Sequence, residues 1–229
     1  SFKNLYDLKT GMQLHTIQQK PKNGEKMSAM DILKKEHKLI QRYLDNLTVA
    51  QDLLVVRETV PPSVIDNAIR FAKEFMNKTH HFKEEYVLFL KLAEKKGGKL
   101  DGQITSLRDQ HERSRGLVSK IKETLGGYKK GDEIAFSALA ENMGYYVSLE
   151  NSHLHRENHV FYPMAEKVFS AEEMASFDSE FAKIDEKKGK GTYEKGEEMV
   201  KTIEADMKQK FGAVYRDKYE QVVKGHHHA

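Results

Sequence analysis

Twice in this chain a histidine is followed four residues later by a glutamate, inside a stretch of helical period. The pairs are His80–Glu84 in THHFKEEYVLF and His153–Glu157 in NSHLHRENHVFYP. Positions i and i+4 share one face of a helix, so each pair sends an imidazole and a carboxylate in the same direction. A further histidine precedes each pair at nearly equal spacing: His37 stands 43 residues before His80, and His111 stands 42 before His153. The chain therefore reads as two halves, each a helix with one His followed by a helix with His-x-x-x-Glu. A fold that satisfies both halves is a set of helices whose ligand-bearing faces meet.

The apolar pattern places those faces inward. His37 continues the line Leu33, Ile40, Leu44; His80 and Glu84 continue Ile69, Ala72, Met76 and Val87. His111 lies with Ile104, Leu107, Val118, Ile121 and Leu125, and His153 and Glu157 lie with Met143, Tyr146, Val160 and Met164. All six polar groups thus share the core-facing stripe of their helix. A carboxylate in such a core is costly without a partner, and a metal ion supplies one. Any of these histidines alone would read as an ordinary packed core residue. Six together, with two internal glutamates, read as a metal site.

Punctuation sets the helix limits. Ser28 with Asp31 opens a helix running to about Val56, and Pro61-Pro62 start a second that ends near Lys96, before Gly97-Gly98. The third spans about Gln103 to Leu125 and stops at Gly126-Gly127; the fourth runs from Asp132 to about Tyr162, where Pro163 bends or ends it. Short links between long helices predict an all-α, antiparallel up-down-up-down four-helix bundle. Ser170 with Glu173 caps a short following helix to about Glu186, KKGKG at Lys187–Gly191 forms a linker, and Tyr193 to about Phe211 carries Met199, Ile203 and Met207 at helical spacing. The expected organisation is an N-terminal arm over residues 1–27, the bundle over 28–186, and a linker, C-terminal helix and tag-like GHHHA over 187–229. The tail helix is expected to pack back on the bundle rather than to serve a partner.

Other histidines are weaker candidates. His81 with Glu85 is a second i,i+4 pair, but its face runs through Arg70, Glu74 and Asn77, so it is expected on the solvent side. His155 and His159, on a face with Asn151, Tyr162 and Glu166, are expected at the rim; His15 lies in the arm.

Composition narrows the chemistry. The 229 residues contain no Cys, which excludes disulfides, Cys-ligated zinc and iron–sulfur clusters and leaves nitrogen and oxygen ligands. Lys and Arg number 38 against 35 for Asp and Glu, interspersed rather than blocked, a solvated helical surface and not a nucleic-acid footprint. No apolar run approaches roughly 18 residues and no signal-peptide pattern is visible, so a cytoplasmic protein without a membrane partner is expected. There is no phosphate-binding glycine loop, nucleophile elbow or HExxH.

In order and spacing, EHKLI around His37, HHFKEEYVLF from His80, DQHERSR around His111 and HLHRENHVFYPMAEK from His153 resemble the hemerythrin-like, HHE cation-binding family, over roughly residues 28 to 186. The resemblance implies two iron ions (Fe2+/Fe3+) held by His37, His80, Glu84, His111, His153 and Glu157, with an oxo or hydroxo bridge; manganese and zinc also suit such ligands. Oxygen-carrying members have a second His four residues after the first on the third helix and usually an Asp as the last carboxylate. Here those positions are Arg115 and Glu157. The sequence looks more like the four-His, two-Glu bacterial members implicated in iron–sulfur repair, nitric oxide handling or oxygen sensing. On this reading each ion takes two imidazoles and the two ions are nearly equivalent. A binding or sensing module for oxygen or nitric oxide is the expected function. A di-iron redox enzyme acting on peroxide or nitric oxide, of the iron–sulfur repair type or not, and an iron reservoir are the alternatives.

Overall fold

The computed structural model describes residues 27–189 and 191–226; the N-terminal arm, with His15, lies outside the described residues. Seven helices and no strand are found among them. Helix α1 is Ala29–Val55, begun by Ser28, whose hydroxyl accepts from the Asp31 amide. Helix α2 covers residues 62–96 as one rod, with Pro62 in its first turn and the left-handed Gly97 (φ 53°) as its C-cap. Helix α3 is Asp101–Tyr128. Helix α4 covers residues 133–168 and is capped by the Asp132 carboxylate on the Ala135 amide. Helix α5, Ala171–Lys188, opens on a complete Ser170–Glu173 capping box. Helices α6 (Thr192–Phe211) and α7 (Ala213–Gly225) complete the chain.

Two boundaries differ from expectation. Helix α3 passes through Gly126-Gly127 to Tyr128, because Tyr128 is buried and its hydroxyl donates to the Val60 carbonyl at 2.6 Å. Helix α4 passes through Pro163 to Val168. The turn just before that proline, Glu157–Phe161, is π-helical, and the Tyr162 amide reaches back to the Glu157 carbonyl. The wider turn absorbs a residue that lacks an amide donor and would clash in a regular α-helix.

Wide turns recur where the chemistry is. In α2 they occupy Ala72–His80 and Glu84–Leu88, on either side of one α-helical turn, His81–Lys83. Each π turn takes up about one more residue than an α turn and rotates everything after it. As a result Val160, expected in the core, is 57% exposed, and Phe161 at 2% takes its place.

The core is in two apolar clusters. One gathers Leu44, Leu53, Phe71, Met76, Ile121 and Met143; the other gathers Leu33, Leu92, Leu107, Phe161 and Phe177. Along each of α1 to α4, buried polar residues stand near the junction of the parts contributing to the two clusters, at Glu36–His37, Thr79–Glu84, His111–Ser114 and Glu150–Glu157, while Asp45 and Asn46 on α1 are buried beside the first cluster. A polar belt thus lies inside an apolar sleeve.

The C-terminal helices pack back on this body. Val200, Ile203 and Met207 of α6 are buried in the first cluster. Gly196 lets α6 approach closely, since a Cβ there would lie 2.6 Å from the Phe75 ring. Arg42 on α1 forms a two-pronged pair with Glu204 on α6, both contacts 2.7 Å, and Tyr215 on α7 donates to Asn46 at 2.6 Å. No helix is long and apolar enough to cross a membrane among the described residues.

Candidate metal centre

Five imidazoles and two carboxylates meet in the polar belt. Their ligand atoms form two groups, His37, His80, Glu84 and Glu157 in one and His81, Glu84, His111 and His153 in the other, with the atoms of each group within 4.8 Å of one another. All seven side chains are buried. The six residues predicted from sequence are thus brought together, and His81 joins them. The expectation that His81 faces solvent is wrong, as it is 1% exposed. The π turn ending at His80 swings the next residue inward too, so neighbours in sequence occupy the same interior.

Tyr162, assigned to a rim face, is also buried; its hydroxyl donates to Glu84 Oε1 at 2.5 Å and lies 3.0 Å from His37 Nε2. His155 and His159 are exposed and stack on each other, with the His159 ring nitrogen bonded to the His155 carbonyl.

The orientation of the five rings is uniform. Each Nδ1 meets a side-chain oxygen away from the centre: His37 with Asn158 at 2.8 Å, His80 with Glu36 at 3.0 Å, His81 with Asn77 at 3.1 Å, His111 with Glu85 at 2.7 Å and His153 with Gln110 at 3.0 Å. An acceptor at Nδ1 places the ring proton there and leaves the Nε2 lone pair free for a metal. The Nε2 atoms converge, His37 on His80 at 2.9 Å and His111 on His153 at 3.0 Å. The carboxylates lie across the two groups. Glu157 Oε2 is 3.3 Å from His37 Nε2 and 3.2 Å from His153 Nε2; Glu84 Oε2 is 3.7 Å from His80 Nε2 and 3.5 Å from His111 Nε2.

The electrostatics suit a cation. Burial lowers the pKa of His80 to about 4 and takes His81 and His111 down as well, so these rings are neutral donors at pH 7. Burial, reinforced by the neighbouring Glu157, pushes Glu84 well above the usual carboxylate range. Burial would also raise Glu157, but the His153 and His37 imidazoles hold it well below that range. Among the described residues, His81 Nε2, Glu84 Oε2 and both oxygens of Glu157 are buried without a hydrogen-bond partner. Buried polar atoms are rarely left so. Orphaned buried atoms of imidazole and carboxylate type, spread over the two groups, are of the kind that holds a metal ion.

Several supporting residues carried no signal in the sequence. Glu36, Asn77, Glu85, Gln110 and Asn158 are common helix-surface residues, and only their contact with a ring nitrogen marks them. Glu150, another buried carboxyl, accepts from the Ser114 hydroxyl. It lies three residues before His153 on the same face, and that spacing was a signal available in the sequence.

An all-helical body enclosing a buried cluster of imidazoles and carboxylates defines a class, the helical proteins whose core can hold a cation. The pattern of the hemerythrin HHE cation-binding domain matches residues 28–165, and the chain belongs to that family. It is also similar to uncharacterized proteins of Mycobacterium tuberculosis and Mycobacterium bovis, each 27% identical over 153 residues, covering 67% of this chain and 59% of the relative. The chain therefore spans about three fifths of the length of these curated relatives. No solved structure matches.

Proposed function

We propose that the protein is a non-haem di-iron protein that binds or senses a small diatomic, oxygen or nitric oxide, at a carboxylate-bridged centre. The observation that carries this reading is the set of five rings, each tied outward at Nδ1 and directed inward at Nε2, around two glutamates with unpartnered oxygens. His37 and His80 would serve one ion and His81, His111 and His153 the other, with Glu84 and Glu157 bridging. This departs from the four-His expectation: two imidazoles would serve one ion and three the other, so the donor set would be unequal in kind. Bound iron would supply reversible redox chemistry and a coordination position for the diatomic.

The protein's own part is to exclude water, fix the rings and place the Tyr162 hydroxyl beside the two-imidazole group. The polar belt between two apolar clusters on α1–α4 supports an antiparallel up-down-up-down bundle within residues 28–186.

Metal analysis with absorption spectra of the anaerobically reduced and air-exposed protein tests the reading. About two irons per chain and oxygen-dependent charge-transfer bands are expected. A colourless protein that keeps less than about one iron after reconstitution would sink it.

A further inference from the structure

Lys83 is the least expected buried residue in the molecule. It is 1% exposed, and a fully buried lysine is rare unless it is paired. Its ammonium sits between two carboxylates on different helices. It donates to Glu36 Oε1 on α1 at 2.5 Å, and to Asp185 Oδ2 on α5 at 3.1 Å with Oδ1 at 2.8 Å. It also lies 5.6 Å from the centre of the Phe181 ring, again on α5. The other oxygen of Glu36 receives Nδ1–H of His80. An unbroken chain of polar contacts thus runs from Asp185, through Lys83 and Glu36, to a ring of the metal centre. Asp185 is partly exposed, so the chain ends at the surface.

Each other ring is held from α2, α3 or α4: His37 by Asn158, His81 by Asn77, His111 by Glu85 and His153 by Gln110. The His80 support alone continues into α5, which lies beyond the family match ending at residue 165. We propose that Asp185, Lys83 and Glu36 are positioning residues through which helix α5 holds the His80 imidazole to its metal, making α5 a working part of the centre. The inference rests on the di-metal reading above. Partners of ligating imidazoles fix ring orientation and raise metal affinity, and losing one costs about 10- to 100-fold. Undocking α5 would thereby loosen the ion on the His37 and His80 side and leave the three-imidazole side firm.

The test uses the full chain loaded anaerobically with ferrous iron and follows its release to a ferrous chelator. Asp185→Asn keeps size and removes the charge that anchors Lys83. Glu180→Gln is the control: it breaks another contact between α5 and α2, the 3.1 Å pair with Lys91, without touching the relay. A Lys83→Met, Glu36→Gln double variant removes the buried charges together and leaves an amide acceptor for His80, so folding survives while the relay is cut. Release from Asp185→Asn is expected to become biphasic, with one ion leaving about 10-fold faster than in wild type; the double variant behaves likewise and Glu180→Gln is unchanged. Wild-type release from Asp185→Asn, or equal acceleration in Glu180→Gln, overturns the relay alone. A wild-type chain that holds no iron overturns the centre, and the relay with it.

Discussion

The imidazoles of His81 and His111 lie face to face, their ring centres 3.8 Å apart and their planes 14° from parallel. The stack joins α2 to α3 inside the polar belt and puts His81 among the ligand atoms. A regular α-helix would separate His80 and His81 by about 100° and send one to solvent. The π turn over Ala72–His80 removes that choice.

His81→Ala should therefore lower iron content from about two ions per chain to about one, while His155→Ala and His159→Ala change nothing. Elemental analysis after reconstitution measures it. Full loading of His81→Ala would mean that His81 only packs against His111 and that the four-histidine set suffices.

Metal and stability should be linked, because seven buried polar side chains converge on one another without another partner to satisfy them all. Ligand bound to the folded state alone stabilises by about 3 kcal/mol at a hundred-fold excess over Kd. For a chain of this size that corresponds to roughly 6–12 °C in Tm. Chelation should lower Tm by this order, and differential scanning fluorimetry with and without chelator reads it. An unchanged Tm in a chain shown to have lost its iron would contradict the linkage.

The packing of α6 should depend on acid pH. Burial tends to raise the Glu204 pKa, but the hydrogen bonds and charge of Arg42 hold it below its ordinary 4.5. A depressed carboxyl contributes stability that is present above its unfolded value and lost as pH falls through the folded value. Protection of α6 against hydrogen exchange should thus weaken below about pH 4.5. Glu204→Gln should already show weaker protection at neutral pH and a flatter acid profile. Identical profiles in the two proteins would place the acid-sensitive contact elsewhere.

Periodicity and spacing went far here because both the helices and the two His-x-x-x-Glu pairs repeat on a period the eye can follow. Leu33, His37, Ile40 and Leu44 do form one buried line on α1. The α-helical count misplaces His81, Tyr162 and Val160, which lie within a π turn or directly after one. The Nδ1 partners escaped for a different reason. Their role lies between helices, as with Gln110 of α3 and His153 of α4, and no local pattern encodes it. The helix expected from Tyr193 to about Phe211 ends there, at Gly212 (φ 55°), but the further helix Ala213–Gly225 is not among the expected elements.

Unequal donor sets imply unequal reactivity. If both glutamates served both ions, three imidazoles would leave one fewer position at their ion than two imidazoles would leave at the other. An incoming small anion or diatomic should therefore go to the His37 and His80 side. Tyr162 stands on that side, its hydroxyl 3.0 Å from His37 Nε2, its ring stacked on the His37 ring at 4.9 Å, and its proton donated to Glu84. Burial and the Glu84 carboxylate push its pKa well above the ordinary value, so it remains a donor throughout the neutral range. Titration of the reduced protein with nitric oxide, followed by absorption and electron paramagnetic resonance, should saturate a first phase at about one equivalent per chain, since a coordinately filled ion has no position to give. Tyr162→Phe should keep that stoichiometry and speed dissociation by about 5- to 10-fold, the loss of one hydrogen bond of about 1 kcal/mol. A single phase of about two equivalents would show that the ions are equivalent, and that His81 does not complete the coordination of either.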